Sequence, residues 1–291
     1  MAETRGVIHD LGYRRYAGPR EGAGTTALSL YVTGVRHAYG LGRSGRSKVL
    51  PFLLLAINLL PAVILIGVVT TMKLDEQLLS YSAYTSQLQM VVSLFAAAQA
   101  PVLFSRDLRH RSIVLYLARP LSSQLFALIR WASLATAILI FTLLPTLVLY
   151  VGGLLAGLDV GAETSDALKS VALQVVLACM LAGITGLISS WALRRGFAVV
   201  ASIIVLIVVV GVVLIVQAIA AEEQIATVGE LAGLASPWTL HNGLAEAWNS
   251  GGRSVIELSG VWVAAYVATA LAVSATCLAL IVGRFRKVGA R

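Results

Sequence analysis

Six long runs without a single Asp, Glu, Lys or Arg constrain this chain more than any other feature. They cover residues 49–72, 82–104, 131–157, 170–193, 197–220 and 260–283. A helix needs about 20 mostly apolar residues to cross about 30 Å of hydrocarbon, and an α-helix satisfies its own backbone polar groups there. A soluble domain carries about 25% charged residues. This chain of 291 residues has 12%, with 58% hydrophobic and a mean hydropathy of +0.86. That balance excludes a water-soluble core and, equally, a disordered chain. The expected fold class is an all-α integral membrane protein with six transmembrane helices over 49–283, the third beginning near residue 124.

The net charge of +8 raises nucleic acid as a partner, but the placement of the basic residues answers otherwise. Nineteen of the 22 lie before the first run, between the second and third, between the fourth and fifth, or after the sixth. Only Lys73, Lys169 and Arg253 fall on the other side. Positively charged loops stay cytoplasmic, so both termini are expected inside a cell membrane, and no nucleic-acid partner is expected.

Residues 1–24 are polar and rich in Gly and Arg, and form an expected cytoplasmic segment. From residue 25 to 48 the pattern changes. Leu28, Tyr31, Val32, Val35 and Tyr39 recur at helical spacing, and Arg36, Arg43, Arg46 and Lys48 gather toward the end. This predicts an amphipathic helix in the inner interface, with Val32, Val35, Arg36 and Tyr39 among its contacts with lipid. The outer connection 221–259 predicts two short helices dipping into or lying on the outer leaflet, with Trp238 and Trp248 at the interface.

Several motifs match on paper and fail on chemistry. Residues 40–47, G-L-G-R-S-G-R-S, approach a dinucleotide fingerprint and a P-loop, with Arg46 where lysine belongs. Such loops need a strand before them and a helix N-terminus aimed at phosphate. Here a membrane run follows almost at once, so the glycines read as an elbow. Glu222-Glu223 match the paired glutamates of intramembrane CAAX-type proteases, but Thr227 stands where that pattern needs arginine. His9, His37, His110 and His241 are scattered, and Cys179 and Cys277 lie in apolar runs, so no metal site, catalytic set or disulfide framework is expected. The chain reads as a non-enzyme with no cofactor of its own.

Inside the runs the polarity is mild: Asn58, Gln89, Gln99, Gln174 and Gln217, with Ser and Thr. Such groups serve as interhelical hydrogen bonds or line a path for weakly polar cargo. Ion-coupled transport is disfavoured, because intramembrane ionisable groups usually mark such pathways. Pro61, Pro101 and Pro145 predict kinks, and Gly153-x-x-x-Gly157 a close helix contact.

The connection 105–124 reads S-R-D-L-R-H-R-S-I-V-L-Y-L-A-R-P-L-S-S-Q. Asp107 and Arg111 are spaced to pair along a helix, and Pro120 limits it. A short helix, charged and apolar together, suits docking of a soluble partner. At this point the chain resembles the ABC-2 type permeases, the membrane subunits of ABC exporters. The resemblance rests on the basic interfacial helix, six spans, a helix between spans two and three, A-R-P-L-S-S at 118–123 and a helical outer connection. Gly12-Tyr13-Arg14-Arg15-Tyr16 and Gly18-Pro19-Arg20 are also similar to the N-termini of actinobacterial members.

The resemblance implies a permease subunit of an ATP-driven efflux complex. ATP and Mg would be bound by separate ABC ATPase subunits, and a second permease, identical or paralogous, would complete the pathway in the bilayer. It implies coupling to the ATPase through Arg106, Asp107, Arg109, Arg111, Tyr116 and Arg119, and a pathway lined by Asn58, Gln99 and Gln217. A channel or secondary transporter without an ATPase, or a polytopic scaffold, remains the alternative from the residues alone.

Overall fold

The computed structural model describes residue 18 and residues 22–289, apart from 75, 106–120, 193, 249, 252–253 and 256–257. Among the described residues the fold is all-helical, with no strand. Helix α1 (Ala23–Ala38) precedes α2 (Arg46–Met72), α3 (Tyr81–Gln87) and α4 (Gln89–Leu103). Next come α5 (Ser123–Leu155), α6 (Val160–Trp191) and α7 (Arg195–Ile203). A π-helical turn (Ile204–Val208) joins α7 to α8 (Val209–Glu222), followed by α9 (Ala226–Gly233), α10 (Pro237–Ala247) and α11 (Gly260–Gly289).

Among the described residues, five segments are long and apolar enough to cross a membrane: α2, α5, α6, α7 continued through α8, and α11. The expected second span is broken. Helices α3 and α4 meet at 64° across Leu88, so the count reaches six only when this bent pair is taken as one span. Helix α4 alone, with 15 residues, is about 22 Å long, short of a bilayer core. The bend lies at Leu88, and Pro101 stays inside α4. A hydroxyl-rich turn precedes the bend: Thr85 Oγ1 donates to the Tyr81 carbonyl at 3.1 Å and Ser86 Oγ to that of Ser82 at 3.0 Å.

Helices α5 and α6 outrun their apolar stretches, with 33 and 32 residues. Asp159 caps α6 by accepting from the Ala162 amide at 2.8 Å, which brings Glu163, Asp166 and Lys169 into the helix. Gly157 takes φ +91° just past α5, so it is a turn glycine and not half of a helix-face pair. The close approach falls at Gly152, where an added Cβ would sit 2.7 Å from Ile66 Cγ1 on α2.

Helix α6 is the central post. In its most apolar stretch 56% of residues are buried, against 22% in α2, α7–α8 and α11, which present apolar faces outward. The charges divide between the two ends of the bundle. Arg46, Lys48, Arg194, Arg195, Arg284, Arg286 and Lys287 mark a basic end. The described acids, Glu76, Asp159, Glu163, Asp166, Glu222, Glu223, Glu230 and Glu246, lie at the opposite, acidic end.

Candidate functional site

Helix α1 is docked on the bundle. Leu30, Gly34 and Ala38 form its buried stripe. Tyr31 OH shares a 2.7 Å hydrogen bond with Thr136 Oγ1, and Tyr39 OH donates to the Ala137 carbonyl at 2.8 Å. Burial pushes the Tyr39 hydroxyl pKa up. Val32 and Arg36 are exposed and Val35 is half-buried. The apolar stripe expected from the sequence therefore splits: Tyr31 and Tyr39 pack inward, while Leu28 and Val32 face outward. Gly34 on the inner seam leaves room for the Ser133 side chain of α5. The glycine elbow that follows is a closed turn. Gly40 and Gly42 adopt φ +70° and +77°, and Ser47 Oγ donates to the Ser44 carbonyl at 2.6 Å.

Arg106, Asp107, Arg109, Arg111, Tyr116 and Arg119 lie outside the described residues. The chain on either side of them is firmly held. Ser105 Oγ donates to the Ser189 carbonyl at 2.7 Å. Phe104 and Phe126 flank Phe285 at centroid distances of 6.2 and 5.7 Å. Leu121 is buried, and Ser122 caps α5 by accepting from the Leu125 amide.

Asn58, Gln99 and Gln217 are all buried within the chain. Asn58 Nδ2 donates to the Phe141 carbonyl at 2.8 Å, and Gln217 Nε2 to that of Gly229 at 3.1 Å. They sit on three separate helices, α2, α4 and α8. A cleft of about 270 Å³ between α4 and the π-helical turn of the fifth span is lined instead by Gln89, Ser93, Leu206, Ile207, Val210 and Gly211.

The most polar part of the interior is a seam where α3 meets α10, toward the acidic end. Helix α10 is capped by Ser236, whose side chain accepts from the Trp238 amide. Residues 237–245 are then buried without interruption. Trp238 was expected at the membrane interface; it is fully buried, and its indole N–H donates to Ser93 Oγ at 2.9 Å. Trp248 is half exposed. Ser82 shares a 2.9 Å hydrogen bond with Ser250, and Ser86 donates to Asn242 Oδ1. Behind them Gln174 Nε2 meets Thr85 Oγ1, Thr146 Oγ1 and Ser170 Oγ at 2.9, 2.8 and 3.3 Å. At the outer edge Tyr81 OH donates to the Glu163 carboxylate.

His241 lies in the same seam, fully buried and edge-on to Trp238 at 6.3 Å. Neither ring nitrogen has a well-directed hydrogen bond among the described residues. Burial lowers its pKa to about 4, and the nearby backbone of Ser82 and Leu173 offsets only part of that. The ring is therefore neutral at ordinary pH. Hydroxyls, amides and a neutral imidazole make a seam that can exchange hydrogen bonds without moving charge. The sequence signal for it was the cluster of Ser, Thr and Tyr at 80–86, polar residues within an otherwise apolar run.

Five or six apolar helices around such an interior are the architecture of a multi-pass membrane protein. No family model matches the chain, and no curated protein matches it.

Proposed function

We propose that the chain is the permease subunit of an ATP-driven exporter, working with separate ATPase subunits and a second permease. The observation that carries this reading is the anchoring on both sides of residues 106–119. Ser105 is tied to α6, and Phe104 and Phe126 share Phe285 of α11. A push on that connection would reach α4, α5, α6 and α11 together, which is what a coupling element needs. The basic end then faces the cytoplasm, in keeping with positive-inside placement.

In this mechanism the partner binds and hydrolyses ATP, and its closure displaces the 106–119 segment. The bundle answers by parting the α3–α10 seam. Hydrogen bonds between membrane helices average about 0.6 kcal/mol each, so such a seam opens and re-forms at small cost. Asn58, Gln99 and Gln217 become pathway groups only if the helices carrying them separate. Arg109→Glu with Arg111→Glu is expected to abolish ATPase binding while leaving membrane insertion intact. Full-strength binding by that variant would refute the coupling assignment.

A further inference from the structure

Trp191 closes α6, and Arg284 lies in the last turns of α11. The guanidinium carbon of Arg284 sits 5.1 Å from the centroid of the Trp191 indole. Arg284 is half-buried, and its Nε is buried without a hydrogen-bond partner among the described residues. The next residue, Phe285, is fully buried between Phe104 and Phe126. The end of α11 is thereby pinned, and Arg284 is held over the ring.

Four exposed cations surround this pair in the chain. Arg194 and Arg195 follow Trp191, and Arg286 and Lys287 follow Arg284. The described carboxylates all lie at the other end of the bundle. Two large rings are exposed on the segments that carry these cations, Trp191 at the end of α6 at 62% and Phe197 in the first turn of α7 at 69%. Cations stacked on or beside exposed aromatics suit an amphiphile with an anionic head. A soluble anion would leave the rings uncovered.

We propose that this corner binds an anionic phospholipid, its phosphate held by Arg194, Arg195 and Arg284 and its acyl chains lying against Trp191 and Phe197. The proposal rests on the membrane reading alone and stands independently of any ATPase. Basic side chains at a membrane surface attract anionic lipid, and tryptophan favours the headgroup level. The planar guanidinium fork suits phosphate recognition.

The test uses the full chain purified in detergent, with native mass spectrometry and thermal unfolding as readouts. Phosphatidylglycerol, phosphatidylcholine, inorganic phosphate and an acidic peptide are the probes. Phosphatidylglycerol is expected to stay bound and raise the unfolding temperature, while phosphatidylcholine and phosphate do neither. Arg194→Gln, Arg195→Gln and Arg284→Gln are each expected to weaken phosphatidylglycerol by roughly fivefold. Arg194→Lys with Arg195→Lys should retain it. Equal binding of the two lipids, competition by inorganic phosphate alone, or wild-type retention by the triple glutamine variant would overturn the proposal. Preference for an acidic peptide over either lipid would also overturn it, and would assign the corner to a protein partner. If the triple variant fails to fold, the lipid comparison on the unaltered chain still decides.

Discussion

The indole N–H of Trp238 donates to Ser93 Oγ at 2.9 Å, joining α10 to α4 across 145 positions of sequence. This bond places a short helix from the connection before α11 inside the bundle, beside the break in the α3–α4 pair. A buried indole N–H left without a partner costs about 1–3 kcal/mol. A double-mutant cycle of Trp238→Phe and Ser93→Ala should therefore return a coupling of about 1 kcal/mol in thermal or denaturant unfolding. Additive effects would mean that the Trp238–Ser93 bond does not help to hold α10.

Gly34 sets the docking of α1. A Cβ there would lie 2.5 Å from Ser133 Oγ and 2.7 Å from Ser133 Cβ. Alanine gains up to about 1 kcal/mol of helix propensity over glycine, but the overlap costs about 1–3 kcal/mol. Gly34→Ala should lower the unfolding temperature and speed tryptic cleavage at Arg43 or Arg46. Ser133→Gly in the same chain should restore much of the loss.

His241 gives the fold a pH dependence of known sign. Its native pKa, about 4, lies below the unfolded value near 6.5. The unfolded chain binds the proton more readily, so protonation favours unfolding. Stability from this group is complete above about pH 6.5 and falls as pH drops toward 4, by up to about 1.4 kcal/mol per unit. His241→Gln should lose that slope, so that it appears in full in the difference between parent and variant. An unchanged slope would show that His241 is not the titrating group.

Gln174 ties three elements together through Thr85 on α3, Thr146 on α5 and Ser170 on its own helix, α6. Gln174→Leu keeps the volume and removes the bonds. The expected loss is about 1–2 kcal/mol, since such contacts are individually weak in membranes. Thiol labelling of an introduced Ser86→Cys should also quicken in the leucine variant as the seam loosens. Labelling as slow as in a Gln174 chain would argue that α3 is locked independently.

The apolar runs, the charge asymmetry between the two ends and the helical character of 23–38 were all legible, because each depends on local composition or period. The break at Leu88 was not. Hydropathy treats 82–104 as one run, and nothing in its apolar pattern marks Leu88 as a break. Trp238 was misplaced for a related reason. A tryptophan in an outer connection ordinarily belongs at the interface, and its burial follows from the packing of α10 against α6 and α11, with distant Ser93 taking its N–H. Helix α1 was found, but its packing stripe was set by Gly34 and Ala38, small residues that apolar periodicity overlooks. Asn58 and Gln217 were legible as buried polar groups, whereas their acceptors, the Phe141 and Gly229 carbonyls, required the fold.

The exporter reading is tested most directly by purifying the tagged chain in mild detergent, with and without prior crosslinking. Magnesium-dependent ATP hydrolysis would be measured, and stoichiometric partners identified by mass spectrometry. The prediction is a partner carrying Walker motifs, crosslinked to residues 106–119, with hydrolysis that Arg109→Glu and Arg111→Glu remove from the complex. A chain that purifies without an ATPase after crosslinking, and hydrolyses no ATP, would contradict it.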